Sequence, residues 1–169
     1  MIRQYSTVNI RLGHAAGFAK RPMADHQSGA SGGVQTVFES TLESVDTAEN
    51  LALDIAEKSG FHEEDLHKIG MAVREAMVNA VVHGNRYNLR KKVHYSVNCV
   101  DERLSITIAD EGEGFEATDL PDPLSEENLL RQSGRGLLLI KAFVDEFEVR
   151  KAPPLGTEVR MVFHRNEAS

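Results

Sequence analysis

Strict alternation of apolar and polar residues constrains this chain more than any other feature. Residues 104–108 alternate in this way, with Leu104, Ile106 and Ile108 apolar, and residues 158–161 repeat the pattern with a polar residue before each apolar one. A period of two places the apolar side chains on one face of a strand, which indicates a sheet covered on one side only. We therefore expect an α+β fold: a two-layer α/β sandwich with a mixed sheet of about five strands and three helices on one face.

The order of the predicted elements agrees with this architecture. The pattern predicts a strand from Val34, helices at about 44–59 and 62–83, strands at about 92–100 and 103–110, a helix at about 135–144, and strands at 147–151 and 157–164. Ser44 or Asp46 should cap the first helix. Residues 111–133 have no firm period, and a loop of that length in a compact domain is usually functional or disordered.

Composition separates the first 33 residues from the rest of the chain. They hold five of the 13 glycines and nothing periodic, so we predict a flexible arm at 1–33, a folded domain at 34–164 and a tail at 165–169. The formal net charge of −7 argues against direct binding to nucleic acid or to an anionic membrane. One cysteine, Cys99, and the lack of a long apolar segment predict a cytoplasmic protein.

The second predicted helix carries three polar residues at intervals of four. Glu75, Asn79 and His83 lie about 40° apart around the helix axis, and most positions around them are apolar. So narrow a polar stripe indicates that these side chains line an internal cavity. The alternative interpretation is an ordinary polar stripe exposed to solvent. A carboxylate and a carboxamide one turn apart are suited to accepting a proton and to binding Mg²⁺ through oxygen. A histidine such as His83 more often closes a helix end than acts in catalysis.

Another polar cluster follows the strand that ends at Asp110. This residue shares the parity of the apolar positions, so its carboxylate should emerge on the inner face and requires a hydrogen-bond donor. Gly112 and Gly114 permit close approach of the backbone to a ligand, or a plain turn. Their spacing imitates a dinucleotide-binding fingerprint, but that fingerprint must open a helix, which Pro121 and Pro123 disfavour. We therefore reject a dinucleotide-binding fold.

Small residues surround an arginine at the start of the third predicted helix. The segment reads Ser133-Gly134-Arg135-Gly136-Leu137, and Arg131 precedes it. A helix N-terminus with free amides favours phosphate, and an arginine pairs with anionic oxygens; a tight turn with close helix packing is the alternative. The chain has no Walker sequence and no His-Arg-Asp catalytic loop, which excludes a P-loop enzyme and a eukaryotic-type kinase.

In their order and content, these motifs resemble those of the GHKL, or Bergerat-fold, ATPase superfamily over about residues 34–164. The motifs are Glu75-x-x-x-Asn79-x-x-x-His83-Gly84, Asp110-x-Gly112-x-Gly114, Gly134-x-Gly136-Leu137 and Gly156-Thr157. Within the superfamily, residues 74–80 and 136–146 are most similar to the small bacterial anti-sigma-factor serine kinases of the RsbW type.

The resemblance implies a role for each residue of these motifs. Glu75 would be catalytic and activate the attacking hydroxyl or water, Asn79 would hold Mg²⁺ between the phosphates of ATP, and Asp110 would accept the adenine amino group. The other nucleotide-binding residues would be His83, Gly112, Gly114, Gly134, Arg135, Gly136, Leu137 and Thr157, with Arg131 as the alternative to Arg135 at the phosphates. Residues 111–133 would form a mobile ATP lid.

The resemblance also implies a reaction and partners. The favoured hypothesis is a homodimeric kinase that holds a sigma factor inactive and phosphorylates a serine or threonine of an anti-anti-sigma antagonist with Mg-ATP. Because His14 and His26 lie in no periodic helix, we expect the phosphorylated residue on another protein. The alternatives are a non-catalytic ATP-binding partner switch and a histidine-kinase-type catalytic domain that acts in trans.

Overall fold

The computed structural model describes residues 33–114, 132–154 and 156–165, with only the backbone described for 132–135. In chain order the elements are β1 (Gly33–Glu39), α1 (Leu42–Lys58), α2 (Glu63–Val78), a π-helical segment (Asn79–Gly84), β2 (Lys92–Val100), β3 (Arg103–Asp110), α3 (Gln132–Phe143), β4 (Glu146–Lys151) and β5 (Thr157–His164). None of the helices in these ranges combines the length and the apolar character that crossing a bilayer requires.

The five strands form one sheet in the order β1-β2-β3-β5-β4. This confirms the two-layer α+β fold and the number of strands, but every neighbouring pair is antiparallel, so the expectation of a mixed sheet is wrong. One helix joins β3 to β4, a connection that usually produces adjacent parallel strands. Here β5 lies between them and pairs antiparallel with both, so no parallel pair forms.

The core lies between the inner face of the sheet and the helices. Leu104, Ile106 and Ile108 on β3 are almost fully buried, as the alternation predicts, and they belong to one cluster with residues of all three α-helices. Burial of each such side chain contributes about 1.5–3 kcal/mol. The Tyr95 hydroxyl on β2 donates a hydrogen bond to the Ala48 carbonyl of α1 at 3.0 Å, which fixes α1 against the sheet.

Several element ends differ from their predicted positions. The first helix begins at Leu42, and its N-cap is Thr41 rather than Ser44 or Asp46. Ser44 is instead buried in the first turn, where its hydroxyl lies 3.1 Å from that of Thr41. The third helix begins at Gln132, within the range predicted to be loop.

The second predicted helix changes its geometry before it ends. It is α-helical only to Val78, and residues Asn79–Gly84 form a π-helical segment. The Asn85 amide donates to the Ala80 carbonyl, five residues earlier, at 2.8 Å. π-Helical turns are rare and frequently mark functional sites. The expectation of one regular helix over 62–83 is therefore corrected at the end that carries Asn79 and His83.

Candidate functional site

A cavity of about 520 Å³ opens where the π-helical segment meets the ends of β3 and β5. Its volume lies in the range of small-molecule sites. The predicted site residues that line it are Asn79, His83, Asp110, Gly114, Leu137 and Thr157. The stripe on the second predicted helix thus faces a cavity at Asn79 and His83, and all four motifs of the sequence contribute a residue to the cavity.

Asp110 occupies the inner face at the end of β3, as its parity predicts. It is only 6% exposed, and its Oδ1 accepts hydrogen bonds from the amides of Gly112 at 2.8 Å and Thr157 at 3.2 Å. Burial raises the pKa of Asp110 above its ordinary value, while the two amides and the positive charge of Lys91 act in the opposite direction. Both of these hydrogen bonds go to Oδ1, so Oδ2 is the atom suited to accept a hydrogen bond from a ligand amino group.

Three glycines fit closely around this carboxylate. A Cβ added at Gly84 or Gly112 would overlap the Asp110 side chain, and one added at Gly156 would overlap the Asp110 main-chain oxygen. Gly156 also has a φ of +116°, which side chains rarely permit. These glycines therefore allow Asp110 to lie where it does, and Gly84, which belongs to the helix motif but is not among the predicted site residues, joins the site.

Asn79 lines the cavity and leaves a polar atom without a partner. Its Nδ2 is buried and makes no hydrogen bond within the described residues, a situation that costs about 1–3 kcal/mol unless a ligand relieves it. The described residues contain no group of three or more His, Cys, Asp or Glu side chains suited to a metal. Among the described residues, Asn79 Oδ1 is a ligand that the cavity offers to a metal, and a bound molecule can supply further oxygens. Mg²⁺ held by one protein oxygen and by phosphate oxygens fits that arrangement.

Glu75 lies one turn before Asn79, on the side of the site that faces α3. A Cβ added at Gly136 would overlap the Glu75 carboxylate, so the glycine permits α3 to approach α2 this closely. Leu137, the next residue, lines the cavity, whereas Glu75 itself is not among its lining residues. The structure thus places Glu75 beside the cavity and in contact with the second glycine motif.

The phosphate side of the site falls partly outside the described residues. Gly134 lies in the first turn of α3, but the side chain of Arg135 and all of Arg131 lie outside the described part of the chain. Which arginine contacts phosphate therefore stays a prediction. The same holds for the lid over most of 111–133, of which residues up to Gly114 and from Gln132 are described.

Asn85 is a structural residue of the site that the sequence pattern does not predict. It is 1% exposed, its Nδ2 donates to the Ser40 hydroxyl at 2.9 Å and to the Lys92 carbonyl at 2.8 Å, and its Oδ1 accepts from the Glu111 amide at 2.8 Å. One side chain thereby joins the ends of β1, β2 and β3. Its position after Gly84 suggests a turn residue, so only this spatial network reveals its role.

Comparison with known proteins identifies the family to which this domain is similar. A model of the histidine kinase-like ATPase domain matches residues 38–163. The anti-sigma F factor of Bacillus subtilis is 34% identical over 109 residues, which cover 62% of this chain and 73% of the relative. The anti-sigma F factor of Oceanobacillus iheyensis is 36% identical over 100 residues, which cover 58% and 68% of the two chains.

A solved structure supports the same fold. The RsbU and RsbW domains of a Mycobacterium tuberculosis protein superpose with a TM-score of 0.60 at 16% identity, over 82% of this chain. This chain spans 34% of that longer protein, so the likeness concerns the fold alone. With the family model covering 38–163 and the motifs meeting at one cavity, the chain belongs to the histidine kinase-like ATPase domain family, in the group that contains the anti-sigma F factors.

Proposed function

We propose that this chain is an ATP-dependent anti-sigma factor that also phosphorylates a serine or threonine of an antagonist protein. The observation that carries the proposal is the meeting of the buried Asp110 carboxylate and the unpartnered Asn79 amide in one cavity of about 520 Å³. The anti-sigma F factors among its relatives support a sigma factor as the bound client. We further propose that the chain acts as a homodimer in the cytoplasm.

Each part of ATP has a matching part of the site. Asp110 Oδ2 accepts a hydrogen bond from the adenine amino group. The amide of Thr157, on β5, donates to Oδ1 and holds the carboxylate in place. Gly112 and Gly114 lie against the adenine base, while His83 and Leu137 enclose the part of the cavity that holds the phosphates. The start of α3, with Gly134, Gly136 and either Arg131 or Arg135, covers the phosphates through main-chain amides and a guanidinium group.

Asn79 is the residue that would hold Mg²⁺, and the ion supplies charge neutralisation for the phosphates when bound. Glu75 orients the acceptor hydroxyl and takes its proton while the hydroxyl oxygen bonds to the γ-phosphorus. The bond between that phosphorus and the bridging oxygen breaks, and its electron pair leaves with ADP. Most of the rate enhancement comes from positioning and charge neutralisation, because phosphoryl transfer needs little other chemistry from the protein.

Substitution of Glu75 by Ala tests this function. We expect Glu75→Ala to bind ATP normally and to lose transfer by a factor of about 10² to 10⁴, since a general base acts on the nucleophile and contributes little to nucleotide affinity. The measurement is transfer of ³²P from [γ-³²P]ATP to proteins of the source cells. Glu63→Ala, which removes an exposed carboxylate from the first turn of the same helix, is the matched control.

The stability of the transferred phosphate separates the alternatives. Acid-stable phosphate on serine or threonine supports the kinase, and acid-labile phosphohistidine would instead indicate a catalytic domain that serves a histidine protein. Tight ATP binding without transfer to any protein would indicate a non-catalytic switch. Equal transfer by Glu75→Ala and the unmodified chain would remove Glu75 from the mechanism.

A further inference from the structure

Two large apolar side chains are exposed beside the cavity mouth. Tyr87 is 50% exposed and Leu89 is 59% exposed, and both lie in the segment Arg86–Lys91, here called the rim loop. Single exposed apolar residues are ordinary on protein surfaces, but two of them within three residues form a small patch. Aromatic side chains in such patches are common anchors of protein interfaces.

The rim loop also carries a local concentration of positive charge. It contains Arg86, Arg90 and Lys91, and the sequence has no acidic residue between Glu75 and Asp101, although the chain carries a net charge of −7. In the part of the chain that the structure describes, Arg90 and Lys91 form no salt bridge. Arg86 lies 4.0 Å from Glu113 with both side chains largely exposed, a pair that contributes little. Within the described residues, the exposed charge of Arg90 is therefore not neutralised by an ion pair.

Hydrogen bonds hold the backbone of this loop in place. The Tyr87 amide donates to the Val81 carbonyl at 2.9 Å, and the Lys91 amide donates to the Asn88 carbonyl at 2.9 Å. The Lys91 carbonyl accepts from the buried Ser40 hydroxyl at 2.7 Å. Arg86 and Tyr87 both have positive φ values, 52° and 56°. A loop fixed in this way presents its side chains without a large ordering cost on binding.

The rim loop borders the cavity in which ATP is proposed to bind. Arg86, Asn88 and Lys91 line the cavity, while Tyr87, Leu89 and Arg90, between and beside them, are exposed. A protein whose hydroxyl reaches a phosphate in this cavity must cover part of the rim. The exposed face of the loop therefore lies within reach of that protein's surface.

We propose that Tyr87, Leu89 and Arg90 form a docking surface for the phosphoacceptor protein. The partner chemistry that fits them is an acidic patch around a shallow apolar pocket, because the loop offers apolar anchors flanked by the positive charges of Arg86, Arg90 and Lys91. This inference rests on the proposed kinase function. It adds a recognition surface that lies outside the nucleotide cavity.

Transfer kinetics with the acceptor test the docking surface. The acceptor is the protein that the unmodified chain labels from [γ-³²P]ATP in an extract of the source cells, and it is then purified. We expect Tyr87→Ala and Leu89→Ala each to raise the KM for the acceptor by about tenfold, with kcat and ATP affinity unchanged. Arg90→Ala should raise the KM less and should flatten its dependence on salt, because exposed charges act through screened attraction.

Matched controls come from exposed residues elsewhere. Leu42→Ala and Val100→Ala remove apolar side chains that are 53% and 45% exposed, and Lys58→Ala removes an exposed cation; none should change the KM. A KM unchanged in Tyr87→Ala and Leu89→Ala while transfer proceeds overturns the docking surface and leaves the kinase intact. If the unmodified chain labels no protein, the proposed function fails and the inference fails with it.

A photocrosslinker gives a second readout that does not depend on rates. Benzoylphenylalanine at position 89 should crosslink to the same acceptor, whereas the same group at position 42 should not. Crosslinks from position 89 to nucleic acid, to lipid or to a second copy of this chain, in place of the acceptor, would overturn the proposal.

Discussion

At the scale of single residues, Asp110 combines an unfavourable environment with a specific set of contacts. It is almost fully buried, and its side chain accepts hydrogen bonds from the amides of Gly112 and Thr157. Burial of a carboxylate in this way opposes its ionisation, which is why the pKa of Asp110 is raised. Such a group is retained at a cost to stability, and binding of an amino group is a function that accounts for it.

Asp110→Asn tests this assignment through nucleotide affinity. The amide nitrogen cannot accept a hydrogen bond from the adenine amino group, so we expect ATP binding to weaken by about 1–3 kcal/mol. Isothermal titration with ATP measures the effect. An unchanged affinity would show that Asp110 does not recognise the base.

The same variant should be more stable than the unmodified chain near neutral pH. A carboxyl group whose pKa is higher in the folded state takes up a proton on folding, so stability falls as pH rises from the ordinary value near 3.8 through the raised one. Asparagine does not titrate, so this fall is absent from the variant. The stability difference measured by urea unfolding without nucleotide should therefore grow as pH rises through that interval and then level off. A difference independent of pH would contradict the raised pKa.

At the scale of elements, the ends of three strands depend on Asn85. Its side chain bonds to groups that follow β1, begin β2 and follow β3. We expect Asn85→Ala to lower the free energy of unfolding by about 2–3 kcal/mol, because it leaves buried polar groups without partners. ATP affinity should fall as well, since Glu111 and the adjacent Asp110 would lose their fixed position.

The matched control for that substitution is Asn50→Ala, which removes an exposed asparagine from α1 and should change stability by less than about 0.5 kcal/mol. Urea unfolding and ATP titration of both variants provide the measurements. Full stability of Asn85→Ala would mean that water replaces the three hydrogen bonds.

Local pattern predicts the elements of this fold better than it predicts their arrangement. The bounds of β2 and β3 follow from alternation, since buried apolar residues alternate with more exposed residues along most of each strand. The insertion of β5 between β3 and β4 depends on pairing between distant segments, which no local period records. The π-helical segment is likewise invisible, because its residues read as a continuation of the helix.

Some residues of the candidate site can likewise be predicted from the sequence, and others cannot. Asn79 is predictable from spacing along the helix and Asp110 from strand parity, whereas Thr157 follows only from the family resemblance. The structure brings the three residues to one cavity. Asn85 and Lys91 are not predictable, because an asparagine in a turn and a lysine before a strand have ordinary surface explanations in any sequence. Only the folded chain shows that one is buried and that the other faces Asp110.

At the scale of the whole molecule, Arg165 connects the end of the chain to two distant segments. Its amide donates to the Glu102 carbonyl at 2.8 Å, its Nη1 donates to the Ser59 carbonyl at the end of α1 at 2.9 Å, and its Nη2 pairs with the Glu102 carboxylate. The first residue of the predicted tail thus contacts the folded domain. In the sheet register, β5 begins beside Ala109 and ends beside Arg103, so Arg165 lies at the end opposite the cavity.

Arg165→Ala should therefore separate stability from nucleotide binding. We expect the free energy of unfolding to fall by about 1–2 kcal/mol, because a charged hydrogen bond to the C-terminus of α1 is lost, while the exposed pair with Glu102 adds little. ATP affinity should stay unchanged, since the site lies at the other end of the sheet. Lys58→Ala removes a different cation from the last turn of α1 and should change stability by less than about 0.5 kcal/mol. Parallel loss of ATP affinity and stability in Arg165→Ala would show that the two ends of the sheet are coupled.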